Sequence, residues 1–336
     1  MTSVLIVDDE RAVRDLMARW VASLGLRAET AASAEEALTT LKTRHYDLAV
    51  IDVMMPGHDG LWLTEQLRRD YPHTAVVIAT GYADRVDERT RQDPIADFLV
   101  KPFPRERFAE AIDRGRQWRS QALDDLLEHA RLSLELSGRV TAIGDAIRTL
   151  TASGATEAAA LAAIVHERAA DLVPHSARVA RYAAAVAREL RLDARTRETL
   201  DRAARFHDVG KAAMPRALLA KPSPLTAGER AIMRRHPDVG ANILAATATL
   251  ADAAPIVRSS HEWFGGGGYP SRLAGTAIPL ASRIIAVMDA YDAMVETRAY
   301  RAALAPERAI AEIELNTPSQ FDPEVVAAFL AVRRRQ

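Results

Sequence analysis

Four short apolar runs in the first third of the chain each stop at a polar residue. They are Val4-Leu5-Ile6-Val7 before Asp8-Asp9, Leu48-Ala49-Val50-Ile51 before Asp52, Val76-Val77-Ile78-Ala79 before Thr80, and Phe98-Leu99-Val100 before Lys101. Runs this short and this rich in Val, Ile and Leu predict buried parallel strands with helices between them. An open parallel sheet binds ligands at the carboxyl ends of its strands, near the point where strand order reverses. Three carboxylates, a hydroxyl and a lysine are therefore expected to converge on one rim. Such a set suits a cation, a phosphorylatable carboxylate and a charge that clamps phosphoryl oxygens.

Beyond residue 118 the period becomes helical. Leu123, Leu127, Ala130 and Leu134 share one face, and Val140, Ile143, Ile147 and Leu150 repeat the pattern after Ser137-Gly138. The spacing predicts a two-helix connector, a dimerising seam or a helix packed on its own domain, and it is too short to establish a coiled coil. Residues 151–156 form a small-residue break, after which nearly everything reads as helix. Ser33 with Glu36, and Thr226 with Glu229, have the spacing of capping boxes. The expected organisation is an α/β domain over 1–118, a helical linker over 119–154 and an all-α domain over 155–332.

Composition removes several function classes. Lys and Arg number 44 against 45 Asp and Glu, so no global field draws the chain to nucleic acid or membrane. No helix-turn-helix pattern follows the first domain, and Arg333-Arg334-Arg335 is too short to read DNA, so direct DNA binding is not expected. There is no cysteine, which excludes disulfides and thiolate zinc sites and fits a reducing cytosol. The start of the chain reads as a strand rather than a leader, and the apolar stretch 241–257 is broken by Asn242, Asp252 and Pro255. A cytoplasmic protein without membrane segments is expected.

The second half scatters His175, His207-Asp208, His236, His261 and Asp289 over predicted helix. Imidazoles and carboxylates without thiols suit a transition-metal site. Lys211 falls on the face of Asp208 if the helix persists. Pro237 disfavours the α region at His236 and predicts that it sits at a helix end. Asp289 lies in a nearly apolar helical run, where a carboxylate is costly unless paired or bound to metal.

The series Asp8-Asp9, Asp52 with Val53-Met54-Met55-Pro56-Gly57, Thr80-Gly81, Phe98 and Lys101-Pro102 resembles the receiver domain of bacterial response regulators over roughly 1–118. That resemblance implies a flavodoxin-like, doubly wound, five-stranded parallel sheet and a histidine kinase as partner. On the residues, Asp8, Asp9 and Asp52 would hold Mg²⁺ and Asp52 would accept the phosphoryl group. Lys101 would pair with the phosphate and Thr80 would hydrogen-bond it. The resemblance makes Phe98 the aromatic that swings inward when Thr80 moves, whereas on its own it reads equally well as a core residue.

The second series is His207-Asp208-Val209-Gly210-Lys211, Leu225 to Glu229 followed by His236-Pro237-Asp238-Val239-Gly240, Gly268-Tyr269-Pro270, Asp289-Ala290-Tyr291-Asp292-Ala293, and Thr297-Arg298-Ala299-Tyr300-Arg301. It resembles the HD-GYP family of HD-domain phosphohydrolases over roughly 155–332. The resemblance implies hydrolysis of cyclic di-GMP to pGpG or GMP by two divalent transition metals, iron or manganese rather than zinc. His175, His207, Asp208 and Asp289 would hold one metal, and Asp208 would bridge to a second held by His236 and His261. Asp171 sits where some members place a carboxylate for a third metal, with an ordinary surface aspartate as the alternative. Lys211 would steady the phosphate beside Asp208. Tyr269, Arg298 and Arg301 are candidate substrate contacts, against a loop-shaping tyrosine and solvated arginines.

Two positions depart from the family. Ser260 precedes His261-Glu262 where two adjacent histidines are usual, and Gly265 replaces the aspartate that opens the loop. Serine is a poor neutral ligand for a divalent cation, so the expectation for the second metal is that it is weak, completed by water or absent. The leading expectation is a phosphodiesterase controlled by phosphorylation at Asp52. The alternative is a weak or inactive adaptor that binds nucleotide or a diguanylate cyclase domain. A homodimer through the 119–150 helix is one assembly that the spacing allows, and the sequence leaves the oligomeric state open.

Overall fold

The four apolar runs form strands, and a fifth joins them. The computed structural model describes residues 2–81, 95–297 and 303–335, in two units, 1–128 and 129–336. In the first unit, β1 (Ser3–Val7), β2 (Arg27–Ala31), β3 (Leu48–Asp52), β4 (Ala75–Thr80) and β5 (Asp97–Val100) make one sheet in the order β2-β1-β3-β4-β5. Every pairing is parallel. β2 escapes the hydrophobic pattern because it pairs only with β1 at the sheet edge and reads Arg-Ala-Glu-Thr-Ala, half exposed. Strand order reverses between β1 and β3, the point at which such sheets take ligands.

Alternation along β1 feeds two cores. Leu5 and Val7 join Ala37, Leu41, Leu63 and Leu67 from α2 (Ala34–Thr43) and α3 (Gly60–Asp70). Val4 and Ile6 face Met17 and Val21 of α1 (Arg11–Ser23) and Phe108 and Ile112 of α4 (Arg105–Ala152). This is the period-two geometry of a strand buried on both faces. At the start of α2, Ser33 accepts from the Glu36 amide at 3.2 Å, but Glu36 accepts from the Ala32 amide at 2.7 Å. The expected box is thus stretched by one residue, whereas Thr226 and Glu229 make the reciprocal pair.

Of the three readings of the 119–150 stretch, the two-helix connector is excluded. Residues 105–152 form a single 48-residue helix with no break at Ser137-Gly138. The Ser137 and Thr141 hydroxyls donate back to carbonyls one turn earlier, satisfying themselves within the helix. One interior glycine costs only about 1 kcal/mol, too little to end so long a helix. Leu132, Leu136 and Ile143 are buried, while Leu127 and Leu134 are 67% and 77% exposed.

The described residues of the second unit carry no strand. They include α5 (Glu157–Arg168), α6 (Leu172–Glu189), α7 (Ala194–Phe206), a 3₁₀ turn (Val209–Ala213), α8 (Arg216–Leu219), α9 (Ala227–Met233), α10 (His236–Ala245), α11 (Ala254–Arg258), α12 (Leu280–Val295), α13 (Pro306–Leu315) and α14 (Pro323–Arg333). Val179 and Ala183 of α6, Ala203 of α7 and Ile285 and Met288 of α12 centre its core. No described helix is long and apolar enough to cross a membrane.

Asp97 opens β5 and ties it to α4. Its carboxylate accepts from Arg107 at 2.7 and 2.9 Å and lies 3.0 Å from Arg114. Burial pushes this carboxyl up, but Arg107, the Phe98 amide and Arg114 outweigh it and hold it below its ordinary value. A carboxyl depressed by folding adds stability above its unfolded pKa, near ~3.9, and loses it as pH falls through the folded value. Asp97→Asn is therefore expected to cost the first unit about 1–2 kcal/mol at neutral pH. Thermal melts should bring variant and wild type together only as pH falls below about 3.9 and through the lower folded value. A deficit that persists unchanged into acid would mean that the lost charge is not its cause.

Candidate phosphoacceptor and metal centres

The rim predicted from the strand ends is assembled. Asp8 is fully buried and Asp52 nearly so, at the ends of β1 and β3, and Asp9 stands exposed beside them. One oxygen from each of the three lies within 4.8 Å of the others. The Lys101 ammonium is 2.6 Å from Asp8 Oδ2 and 2.9 Å from Asp52 Oδ2, so it spans both carboxylates. Burial lowers the Lys101 pKa, but the two carboxylates reverse that and raise it. Burial raises the Asp52 carboxyl, and Lys101 offsets this only in part. Thr80 is buried at the end of β4, and Phe98 is half-buried against the core shared by α2 and α3. A cavity of about 240 Å³ lined by Asp8, Asp9, Glu10, Asp52, Met54, Gly81 and Lys101 opens over the carboxylates. An ideal Cβ at Gly60 would stand 2.0 Å from the Asp52 carbonyl oxygen, so glycine lets α3 start hard against the strand that carries Asp52.

In the second unit, four helices and one loop bring the scattered ligand types together. His175 comes from α6, His207 and Asp208 from the end of α7, His236 from the first residue of α10, His261 from the loop after α11 and Asp289 from α12. His175 Nε2 is 3.1 Å from Asp289 Oδ1 and 3.9 Å from Asp208 Oδ2. His207 Nε2 is 3.6 Å from Asp208 and 3.8 Å from Asp289. His236 Nε2 is 3.4 Å from Asp208 Oδ1 and 2.9 Å from His261 Nε2. Two compact ligand sets result, His175-His207-Asp208 and Asp208-His236-His261, with Asp208 common to both.

The surroundings turn ring nitrogens toward the cluster. His207 Nδ1 bonds the Ala204 carbonyl and His236 Nδ1 bonds the Met233 carbonyl, which fixes each tautomer and leaves Nε2 as the acceptor. His207 Nε2 and Asp208 Oδ1 are buried with no hydrogen-bond partner among the described residues. Native interiors rarely leave such atoms unsatisfied, and a cation in each ligand set would satisfy the two of them, one apiece. The donor set thus fits a pair of divalent metals.

Charge follows the same geometry. Burial would raise Asp208 and Asp289, but Lys211 and His207 around the first and His175 and His207 around the second hold both well below the ordinary carboxylate range. Burial lowers His261 to about 3, helped by His236, so it is a neutral ligand at pH 7. Burial also pulls His175 down, yet hydrogen bonds to Asp289 and Asp292 prevail and raise it to about 9.

Lys211 lies 2.6 Å from Asp208 Oδ2. The α-helix ends at Phe206, contrary to a persisting helix, but the 3₁₀ turn that follows aligns residues three apart. An ideal Cβ at Gly210 would lie 2.0 Å from the His236 carbonyl oxygen, and glycine there allows the turn bearing Asp208 to touch α10. A cavity of about 650 Å³ adjoins the cluster and is lined in part by Asp171, His175, Asp208, Lys211 and Thr297. Asp171 is exposed on the wall of this cavity, outside both ligand sets. Arg298 and Arg301 lie outside the described residues.

The two departures have local counterparts. The Ser260 hydroxyl donates to the Val257 carbonyl at 2.8 Å and is in neither ligand set. A Cβ at Gly265 would meet the Ser319 carbonyl oxygen at 2.7 Å. Glu262, fully enclosed, accepts from the Ser271 and Leu273 amides at 2.6 and 3.1 Å and fastens the glycine loop. Tyr269 stacks on His261, with centroids 5.2 Å apart and planes 4° from parallel, and the Arg234 guanidinium lies 5.2 Å from its ring centroid. Burial raises the Tyr269 hydroxyl to about 12.

Sequence reading missed the support behind His175. Asp292 accepts from His175 Nδ1 at 2.6 Å and from Arg178 at 2.7 and 2.9 Å. The available signal was spacing: Arg178 follows His175 by three residues, and Asp292 follows Asp289 by three, so each shares a helical face with a ligand. Asp292→Asn is expected to weaken metal binding about 10–100-fold, the usual effect of losing a hydrogen-bond partner of a ligating imidazole. Metal titration against a competing chelator measures it, and an unchanged affinity would show that Asp292 does not orient His175.

Comparison with known proteins gives the following. The response regulator receiver domain family matches residues 4–113 and the HD domain family matches 159–325. The cyclic di-GMP phosphodiesterase response regulator RpfG of Xanthomonas campestris pv. campestris is 31% identical, over 98% of this chain and 88% of that protein. A cyclic di-GMP phosphodiesterase of Thermotoga maritima is 28% identical over 99% of this chain and 90% of its own length. A probable cyclic di-GMP phosphodiesterase of Vibrio cholerae is 30% identical over 98% and 77%.

Proposed function

Because the chain belongs to the response regulators that join a receiver domain to an HD-GYP output domain, we propose that it hydrolyses cyclic di-GMP to pGpG or GMP under the control of phosphorylation at Asp52. The observation that carries this reading is Asp208, a buried carboxylate common to two ligand sets, with one oxygen lacking a hydrogen bond. His175, His207, Asp208 and Asp289 hold one divalent metal in this reading, and Asp208, His236 and His261 hold the other. All-nitrogen-and-oxygen donors suit iron or manganese. When bound, such a pair supplies Lewis acidity toward a phosphoryl oxygen and lowers the pKa of water.

The chain's own residues supply the rest. Lys211 holds a phosphoryl oxygen next to Asp208, a role supported by its 2.6 Å reach. Asp292 and Arg178 keep His175 aimed. Tyr269 and Glu262 hold the loop that carries His261, which argues for a shaping role for Tyr269 before any base-stacking one. In the receiver, Asp8 and Asp9 hold Mg²⁺ with Asp52, and Lys101 exchanges its carboxylate partners for the new phosphate. A histidine kinase is the expected phosphodonor. A homodimer through the 119–150 helix is supported by the exposure of Leu127 and Leu134.

The test is product analysis by chromatography on cyclic di-GMP, using metal-loaded protein with and without acetyl phosphate. The proposal expects a linear product and a rate that changes with the phosphodonor. Nucleotide bound but left intact would favour the adaptor reading, for which the second site's three protein ligands are the supporting observation.

A further inference from the structure

A cavity of about 280 Å³ lies between α6 and α14. It shares no lining residue with the cavity at the metal ligands and stands outside both ligand sets. Arg181, Tyr182 and Arg188 of α6 and Arg333 of α14 supply its polar lining, over the buried Val186 and Phe329. Arg181 and Arg188 are seven residues apart with Ala185 between them, so they share one helical face. No carboxylate is in the lining. Glu189, next to Arg188 in the chain, pairs with Arg335 instead.

Two of these arginines are held by rings. The Arg181 guanidinium is 5.2 Å from the Tyr182 ring centroid, and that of Arg333 is 5.4 Å from the Tyr291 centroid. Tyr182 and Tyr291 meet edge to face at 5.5 Å, and Tyr291 meets Phe329 at 5.0 Å. A ring orders a guanidinium without cancelling its charge. Among the described residues Arg181 and Arg188 have no ion-pair partner, and the Tyr182 hydroxyl makes no hydrogen bond. We propose that this cavity binds a phosphate monoester carried on an aromatic base, of the size of one nucleotide. The phosphate takes the forks of Arg181, Arg188 and Arg333, each of which can grip two oxygens at once. The base covers the apolar floor, within reach of the Tyr182 hydroxyl. The volume is near the lower bound of small-ligand cavities, about 300 Å³, which suits one nucleotide unit rather than two. The binding stands apart from the phosphodiesterase reading, although GMP, a product under that reading, belongs to the same class.

The test uses the full-length, metal-loaded chain and three probes, GMP, guanosine and inorganic phosphate. Photo-crosslinking with 8-azido-GMP and peptide mapping locate the bound nucleotide, and calorimetric titration gives the affinities. Label is expected on residues 181–188 or 329–333. The double variant Arg181→Ala/Arg188→Ala is expected to lose that label and to bind GMP there about tenfold or more weakly, the usual loss when charge-assisted hydrogen bonds go. Arg181→Lys/Arg188→Lys should recover part of the affinity. Both arginines are exposed and outside the ligand sets, so the variants should keep the wild-type metal content. Label confined to the peptides of the metal ligands would overturn the proposal, as would an alanine variant that is labelled like the wild type. Guanosine binding as tightly as GMP would refute the role of the arginines. Inorganic phosphate binding as tightly as GMP would refute the nucleotide and leave a plain anion site.

Discussion

Asp208→Ala is expected to reduce cyclic di-GMP hydrolysis by at least about 10²–10³-fold, the scale seen when a main electrostatic element of an active site is removed. The reason is the position of Asp208 in both ligand sets and its burial. Its loss would remove the carboxylate proposed to neutralise two cations and leave His207, His236 and Lys211 without the counter-charge they share. Removing one partner from a buried charged network also costs stability, because the remaining charges keep their desolvation penalty. Metal content and melting temperature should therefore fall together with rate. Asp208→Asn separates the two effects, since the amide preserves shape but not charge. A variant that keeps both metals and wild-type turnover would show that Asp208 does not bridge them.

Asp52→Asn is expected to abolish phosphorylation of the receiver and, with it, any response of hydrolysis to acetyl phosphate. An amide is not a nucleophile toward phosphorus, and it removes one of the two negative charges that hold Lys101. The substitution is nearly isosteric, so the sheet and its core should survive. Intact-mass analysis after incubation with acetyl phosphate and Mg²⁺ reads the covalent step directly. A phosphorylated Asp52→Asn protein would move the acceptor elsewhere on the rim, with Asp9 as the exposed carboxylate beside it.

The strand ends were readable because buried parallel strands need unbroken apolar runs, so a polar residue that ends such a run marks the rim. β2 was not readable, since an edge strand can be polar and Arg27–Ala31 relies on backbone pairing with β1 alone. The single helix of 105–152 was not readable either. Ser137-Gly138 looks like a break locally, and only the burial of Leu132, Leu136 and Ile143 on both sides of it carries the helix through. In the second unit, ligand types stood out because histidines and aspartates are conspicuous within apolar helices. Arg178, Asp292 and Glu262 did not stand out. The first two meet across 114 residues, and Glu262 bonds backbone amides that no side-chain pattern advertises. Gly265 read as a lost carboxylate, and the Ser319 carbonyl pressed against it gives a steric reason for glycine.

The proposed enzyme is a two-metal phosphodiesterase in which Asp208 is common to both metals. The most direct measurement is turnover of cyclic di-GMP by protein purified anaerobically and loaded with Fe²⁺ or Mn²⁺, with transition-metal content counted on the same sample. Linear product and about two metals per chain, one for each ligand set, are expected. Folded protein carrying both metals but releasing no product would contradict it and leave a phosphorylation-controlled binding module in its place.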